Sequence, residues 1–237
     1  MKAIALACET IADEVRLAAR ETRSTIPICW VESGMHNYPI QLKQHIQAEI
    51  NRIENVDHIL LLFGYCGNSL LGLKTDICRL VIPKVDDCVS LLLGGNAQRN
   101  NLNDQAMGYY LTKGWLSHEY NLWSEYNYCL QKYGSERTSR IYRVMLHNYK
   151  RLNVINTGAY NLDDLLPLTG QIARELELDH TVIDGSLDLL CQALQGEWTN
   201  HRFVIIEPGE EVTMYNLGIL HETGEPPWKL KMSRTSG

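Results

Sequence analysis

The residues with chemical potential are the cysteines, of which the chain has seven: Cys8, Cys29, Cys66, Cys78, Cys88, Cys129 and Cys191. Seven is odd, and seven among 237 residues is too sparse for a disulfide scaffold. In a reducing compartment these are free thiols or metal ligands. The default for a free cysteine is a small buried hydrophobe. Cys29 inside an apolar run, Cys78 just before one, and Cys129 and Cys191 on helical patterns all fit that default. Cys8, Cys66 and Cys88 do not. Each falls just past the end of an apolar run that reads as a strand. Sites in open α/β sheets form beyond the carboxyl ends of the strands.

Fifty-seven residues separate Cys8 from Cys66, and twenty-one separate Cys66 from Cys88. There is no close C-x2-C pair of the kind structural zinc sites use. A trio so widely spaced suits a site assembled by the tertiary fold. Thiolates select zinc, copper(I) or iron–sulfur clusters. Three protein ligands leave one position open for substrate. The rival reading is a lone nucleophile, Cys66 in its glycine-bracketed loop, with His36 or His147 as base.

Other residues are candidates for supporting roles. Gly64-Tyr65-Cys66-Gly67-Asn68 has glycines before a helix but lacks the Lys-Ser/Thr of a phosphate loop. Gly67 and Asn68 there, and Thr157-Gly158 further on, are backbone positions that could contact a cofactor or anion. Asp87, in the pair Asp86-Asp87, reads as an acid/base or ligand-orienting group, or as an N-cap. His36 and His147 share the first of these roles. Tyr149-Lys150-Arg151 reads as a solvated helix end. The aromatic series from Tyr109 to Tyr128 is helix core, a lid over a flat ligand, or a partner face.

The elements that must position these residues alternate. Ala3–Ala7, 26–31, 59–63 and 80–82 read as strands, with helices at 9–22, 39–53 and 87–93 between and after them. Residues 96–104 read as polar loop and 110–115 as a short strand or edge. Helices are expected at 119–133 and 136–149. Alternation resumes with strands at 152–156, 181–183 and 203–206 and helices at 163–176 and 186–195. The tail from Gly209 reads as irregular. This pattern predicts a Rossmann-like α/β fold with a mostly parallel sheet in one or two lobes. The division expected is an N-terminal half at 1–95, a helical insert at 96–150 and a C-terminal half at 151–237.

The composition sets bounds. With 45% hydrophobic residues the chain can bury a sizeable core. A net charge of −6 argues against a non-specific nucleic-acid binder. No run reaches the roughly 18 apolar residues of a membrane span, and the first apolar run meets Glu9 too early for a signal peptide. A cytoplasmic location is the expectation.

The ordered series Ala7-Cys8-Glu9, Gly34-Met35-His36-Asn37-Tyr38-Pro39, Gly64-Tyr65-Cys66-Gly67-Asn68-Ser69-Leu70 and Pro83-Lys84-Val85-Asp86-Asp87-Cys88 resembles the family called domain of unknown function 1638. Tyr110-Leu111-Thr112-Lys113-Gly114-Trp115 and Asn156-Thr157-Gly158 extend the resemblance. Asn37 and Asp86 depart from the pattern, which has Asp and His there, and this weakens a histidine ligand beside Cys88. Members of that family tend to accompany corrinoid-dependent methyltransferase systems of one-carbon metabolism. The resemblance therefore implies a corrinoid protein or methyltransferase subunit as partner, and a small-molecule substrate. The chain lacks the Asp-x-His-x-x-Gly motif of a corrinoid carrier. The expectation is a metalloprotein holding a [4Fe–4S] cluster, or zinc, on Cys8, Cys66 and Cys88. It would be a methyltransferase component or a cluster-dependent enzyme. The alternative is a non-catalytic docking or maturation partner that uses its aromatic segment as an interface.

Overall fold

The computed structural model describes residues 2–32, 34, 38–66 and 68–218. Of the candidate site residues, His36 and Gly67 lie outside these, as does the tail beyond 218.

Strands β1 (Ala3–Cys8), β3 (His58–Leu62) and β4 (Arg79–Pro83) are near-continuous apolar runs, buried along most of their length. Strands covered on both faces read this way. With β2 (Ile28–Val31) and β8 (Phe203–Ile206) they form a five-stranded sheet ordered β2-β1-β3-β4-β8. The first four are parallel, and β8 runs antiparallel to β4. A second sheet, β5 (Gly108–Leu111), β6 (Arg151–Asn156) and β7 (Asp179–Asp184), is parallel throughout and has that order. The expected Rossmann-like α/β architecture is therefore present, built on two sheets.

A 3-10 turn at Glu9–Ile11 leads from β1 into α1 (Ala12–Glu21), and α2 (Pro39–Arg52) follows β2. Helices α3 (Cys88–Leu92) and α4 (Asn96–Gln105) follow β4. The short α5 (Lys113–Leu116) follows β5, and then come α6 (Leu122–Tyr133) and α7 (Ser135–Met145). Helix α8 (Leu166–Glu175) links β6 to β7, and α9 (Asp188–Gln195) leads back to β8. The main core centres on Leu6, Leu60, Leu61, Val81 and Leu91, all fully buried. A second core under the smaller sheet holds Leu152, Ile172, Tyr126 and Tyr142. Among the described residues, no helix is long and apolar enough to cross a membrane.

Three differences from the sequence reading have physical reasons. Residues 96–104 are not a loop but the body of α4, a helix with no buried residue. Apolar periodicity could not reveal it because polar anchors hold it. The Asn96 side chain accepts from the Asp86 backbone N–H at 2.9 Å and donates to the Asp86 carboxylate, and Arg99 ion-pairs with Asp87. Residues 110–115 split into the end of β5 and α5, because Thr112 caps the helix by accepting from the Trp115 N–H. The stretch 96–150 thus supplies a strand of the smaller sheet as well as helices. The C-terminal elements also divide, since β7 pairs in the smaller sheet and β8 in the larger.

The loops after β3 and β4 lie in backbone contact. A Cβ on Gly64 would stand 2.1 Å from the Asp87 Cα. No larger side chain fits without separating the two loops. Gly64→Ala is expected to lower stability by about 2 kcal/mol or more, read as a fall in Tm, whereas Ala substitution at Gly209, where a Cβ meets nothing within 4 Å, lacks this clash and incurs only the backbone penalty of its positive φ.

Candidate functional site

The contact at Gly64 brings two of the three singled-out cysteines together. The Tyr65 N–H bonds the Val85 carbonyl and the Cys66 N–H bonds the Asp86 carbonyl, both at 3.1 Å. This two-bond zipper lays Cys66 beside the start of α3, whose first residue is Cys88. Asp87 caps α3 by accepting from the Ser90 N–H at 2.8 Å. Cys66 itself is held at φ +41, a left-handed conformation that favours glycine. Non-glycine residues in such conformations cluster at functional sites. Cys8 enters from the neighbouring strand, since β1 pairs with β3 through Ala7 opposite Leu62.

The three sulfurs form one electrostatic group. Burial pushes the Cys66 thiol up to about 12, and negative charge on Cys8 and Asp87 adds to the rise. Burial raises Cys88 well above its ordinary value, with Cys66, Asp87 and Cys8 adding. Burial also raises Cys8. Hydrogen-bond donors oppose these shifts at every sulfur. Backbone N–H groups of Gly64 and Cys88 donate to Cys66, and the Trp115 indole N–H donates to Cys88. The Thr10 N–H reaches the Cys8 sulfur at 3.4 Å, and the Thr10 hydroxyl lies 2.9 Å from it. Such donors favour the thiolate over the thiol.

Cys66 and Cys88 line a cavity of about 300 Å³ between the two sheets. Its other walls are the rings of Tyr109, Tyr110, Trp115 and Tyr149, with the Arg99–Asp87 ion pair at one side. Cys8 is buried and caps the 3-10 turn after β1. Among the described residues, no group of three or more His, Cys, Asp or Glu side chains converges so as to hold a metal ion. A larger open groove of about 660 Å³ runs along α2 past Lys43 and Lys74, and no cysteine lines it.

The remaining candidates fall in several places. Asp87 is at the cavity, but its carboxylate is committed to capping α3 and pairing Arg99. His147 is exposed, with Nδ1 2.9 Å from the Val144 carbonyl, and lines a separate hollow with Glu177. It does not reach the thiols. Asn68 is exposed at φ +69, and neither it, Thr157 nor Gly158 lines the cavity. Cys78 is buried, Cys29, Cys129 and Cys191 are half-buried, and none of the four lines the cavity. Of the aromatic series, Tyr109, Tyr110 and Trp115 face the cavity, while Trp123 and Tyr126 stack at 5.3 Å in the second core.

Two charged residues escaped the sequence reading. Arg99 sits in a stretch without apolar periodicity. Glu14 looks like any acid in the first turn of a helix, yet it is 1% exposed. Its carboxylate accepts from the Thr157 hydroxyl at 3.2 Å, which ties α1 to the end of β6. Burial pushes Glu14 up to about 7, helped slightly by Asp13 and opposed by Thr157 and Lys113.

Folded Glu14 therefore keeps its proton to about pH 7, whereas the unfolded side chain loses it near its ordinary 4.5. The folded state binds more protons in that window, so its stability falls as pH rises from 4.5 through 7. Glu14→Gln stays neutral throughout. Its Tm relative to the parent is expected to climb across that window and level off above it; a constant difference at every pH would refute the shift.

The family model described as Protein of unknown function (DUF1638) matches residues 30–194. No curated protein and no solved structure matches the chain. The match spans Cys66, Cys88 and every wall of the cavity. The chain thus belongs to the DUF1638 family.

Proposed function

We propose that this chain is a thiolate-liganded metalloprotein. Cys66 and Cys88, with Cys8 from the neighbouring strand, would hold an iron–sulfur cluster, with zinc as the alternative. The observation that carries the reading is the state of the three sulfurs. They are desolvated, act on one another electrostatically, and each receives hydrogen-bond donors suited to a thiolate. The charges that act on Cys66 and Cys88 are negative. A bound cation would reverse that balance and deprotonate the thiols. A cluster suits the placement better than a single ion does. Each thiolate of a cluster binds its own iron, so the sulfurs surround a body rather than converge on one atom. Hydrogen bonds to sulfur also tune a cluster's potential.

Bound there, such a group would supply a Lewis-acidic or electron-transferring centre with one position open. The chain's own residues would shape access to it. The rings of Tyr109, Tyr110 and Tyr149 would wall the approach, and the Trp115 side chain hydrogen-bonds the Cys88 sulfur. The setting in corrinoid-linked one-carbon metabolism, with a corrinoid protein or methyltransferase subunit as partner, rests on the family resemblance. A nucleophilic Cys66 is the weaker reading. It needs a thiolate, which burial opposes, and His147 stands elsewhere.

Anaerobic purification followed by metal and sulfide analysis tests the proposal. About four irons and four labile sulfides per chain are expected for the cluster, and about one zinc for the alternative. Cys66→Ser and Cys88→Ser should each lose most of the metal, and Cys129→Ser should retain it. Metal-free parent protein, or full metal content in Cys66→Ser, would sink the reading. A stable complex formed by metal-free protein would move it to a docking role.

A further inference from the structure

We propose that the cavity binds a small planar carboxylate, anchored by Arg99 and lying against the wall of rings from Tyr109, Tyr110 and Tyr149, with its far end over Cys66 and Cys88. This deepens the reading above, from which it takes the cavity as the reaction site. Arg99 lines the cavity and gives Nη1 to Asp87. Its Nε is closed to solvent and bonds no described residue. A buried donor left unmade costs free energy that a ligand or water recovers. The planar guanidinium fork is the side chain that takes a carboxylate in two parallel bonds.

Asp87 does not use up the donors of that fork. One of its oxygens accepts from the Ser90 N–H and the other from Nη1, so Asp87 leaves Nε unmatched. The tyrosine walls add no competing negative charge. Burial raises Tyr109 to about 12, and Tyr110 is also raised, so both remain neutral phenols at physiological pH. Tyr109 and Tyr149 meet edge-to-face at 5.7 Å and so form one aromatic wall, on which a flat ligand can stack. They do not favour an ammonium ion. Arg99 already stands 5.9 Å from the Tyr110 ring centroid, where a cationic ligand would sit. A volume of about 300 Å³ lies at the small end of ligand pockets and suits one ring or a compact fused pair.

Benzoate is the probe, with benzamide as its uncharged isostere, titrated calorimetrically into the full chain. Benzoate should bind one per chain, and benzamide about tenfold more weakly or worse. Arg99→Lys keeps the charge but removes the fork, and should weaken benzoate about tenfold. Tyr149→Leu removes a wall without touching the ion pair and should weaken both probes. It serves as the second variant should Arg99→Lys loosen α4. The proposal is overturned if the parent ignores benzoate, if benzamide binds equally, or if both variants bind as the parent does. Its failure is separable from that of the metal reading. Benzoate binding by a parent that proves metal-free sinks only the metal, and correct metal content without benzoate binding sinks only the carboxylate site.

Discussion

Everything at the cavity depends on one close approach, the backbone of Gly64 against that of Asp87. Two hydrogen bonds, Tyr65 to Val85 and Cys66 to Asp86, can form only because no side chain stands between the loops. That contact holds Cys66 in its left-handed conformation, sets its sulfur over the N–H of Cys88, and directs Asp87 toward Arg99. A second approach of the same kind repeats the device across the two sheets. A Cβ on Gly114 would lie 1.9 Å from the Thr10 carbonyl, so α5 packs on the turn that Cys8 caps. Trp115, one residue on, thereby reaches the Cys88 sulfur.

The same geometry has an electrostatic consequence. Bringing three thiols into a dry region raises each one and makes the ionisation of any one oppose the others. As neutral thiols they pack as small hydrophobes. The donors from Thr10, Gly64, Cys88 and Trp115 lower each thiol's pKa and so oppose, without cancelling, the rise that burial imposes. The far side of the cavity is built differently, from neutral rings and one paired guanidinium. The chain therefore opposes a sulfur floor to an aromatic and cationic wall across a space sized for a small molecule.

Glu14 ties the two sheets together elsewhere. Its carboxyl, on α1, meets Thr157 beyond β6, and the nearby Lys113–Asp13 pair at 2.8 Å spans the same junction. Burial holds this carboxyl's pKa up to about 7, so the stability contributed at this contact falls as pH rises toward neutrality.

Much of the architecture was legible in the sequence, because buried parallel strands are apolar runs whose ends are marked by glycine, proline or an abrupt change of polarity. The runs at β1, β3 and β4 by themselves put Cys8, Cys66 and Cys88 at or beyond strand ends. Helix α4 was illegible because polar bonds to Asp86 and Asp87 hold it, and these leave no periodic trace. Arg99 and Glu14 were hidden for a related reason: a charged residue is made functional by what surrounds it, and burial is a property of the fold. Sequence alone determined which side chains leave the strand ends. Only the tertiary structure decided that His147 lines a separate hollow, that the Thr157 hydroxyl donates to Glu14, and that aromatic rings from the second sheet face Cys66 and Cys88 of the first. Those outcomes turn on contacts between segments far apart in the chain, which local pattern cannot encode.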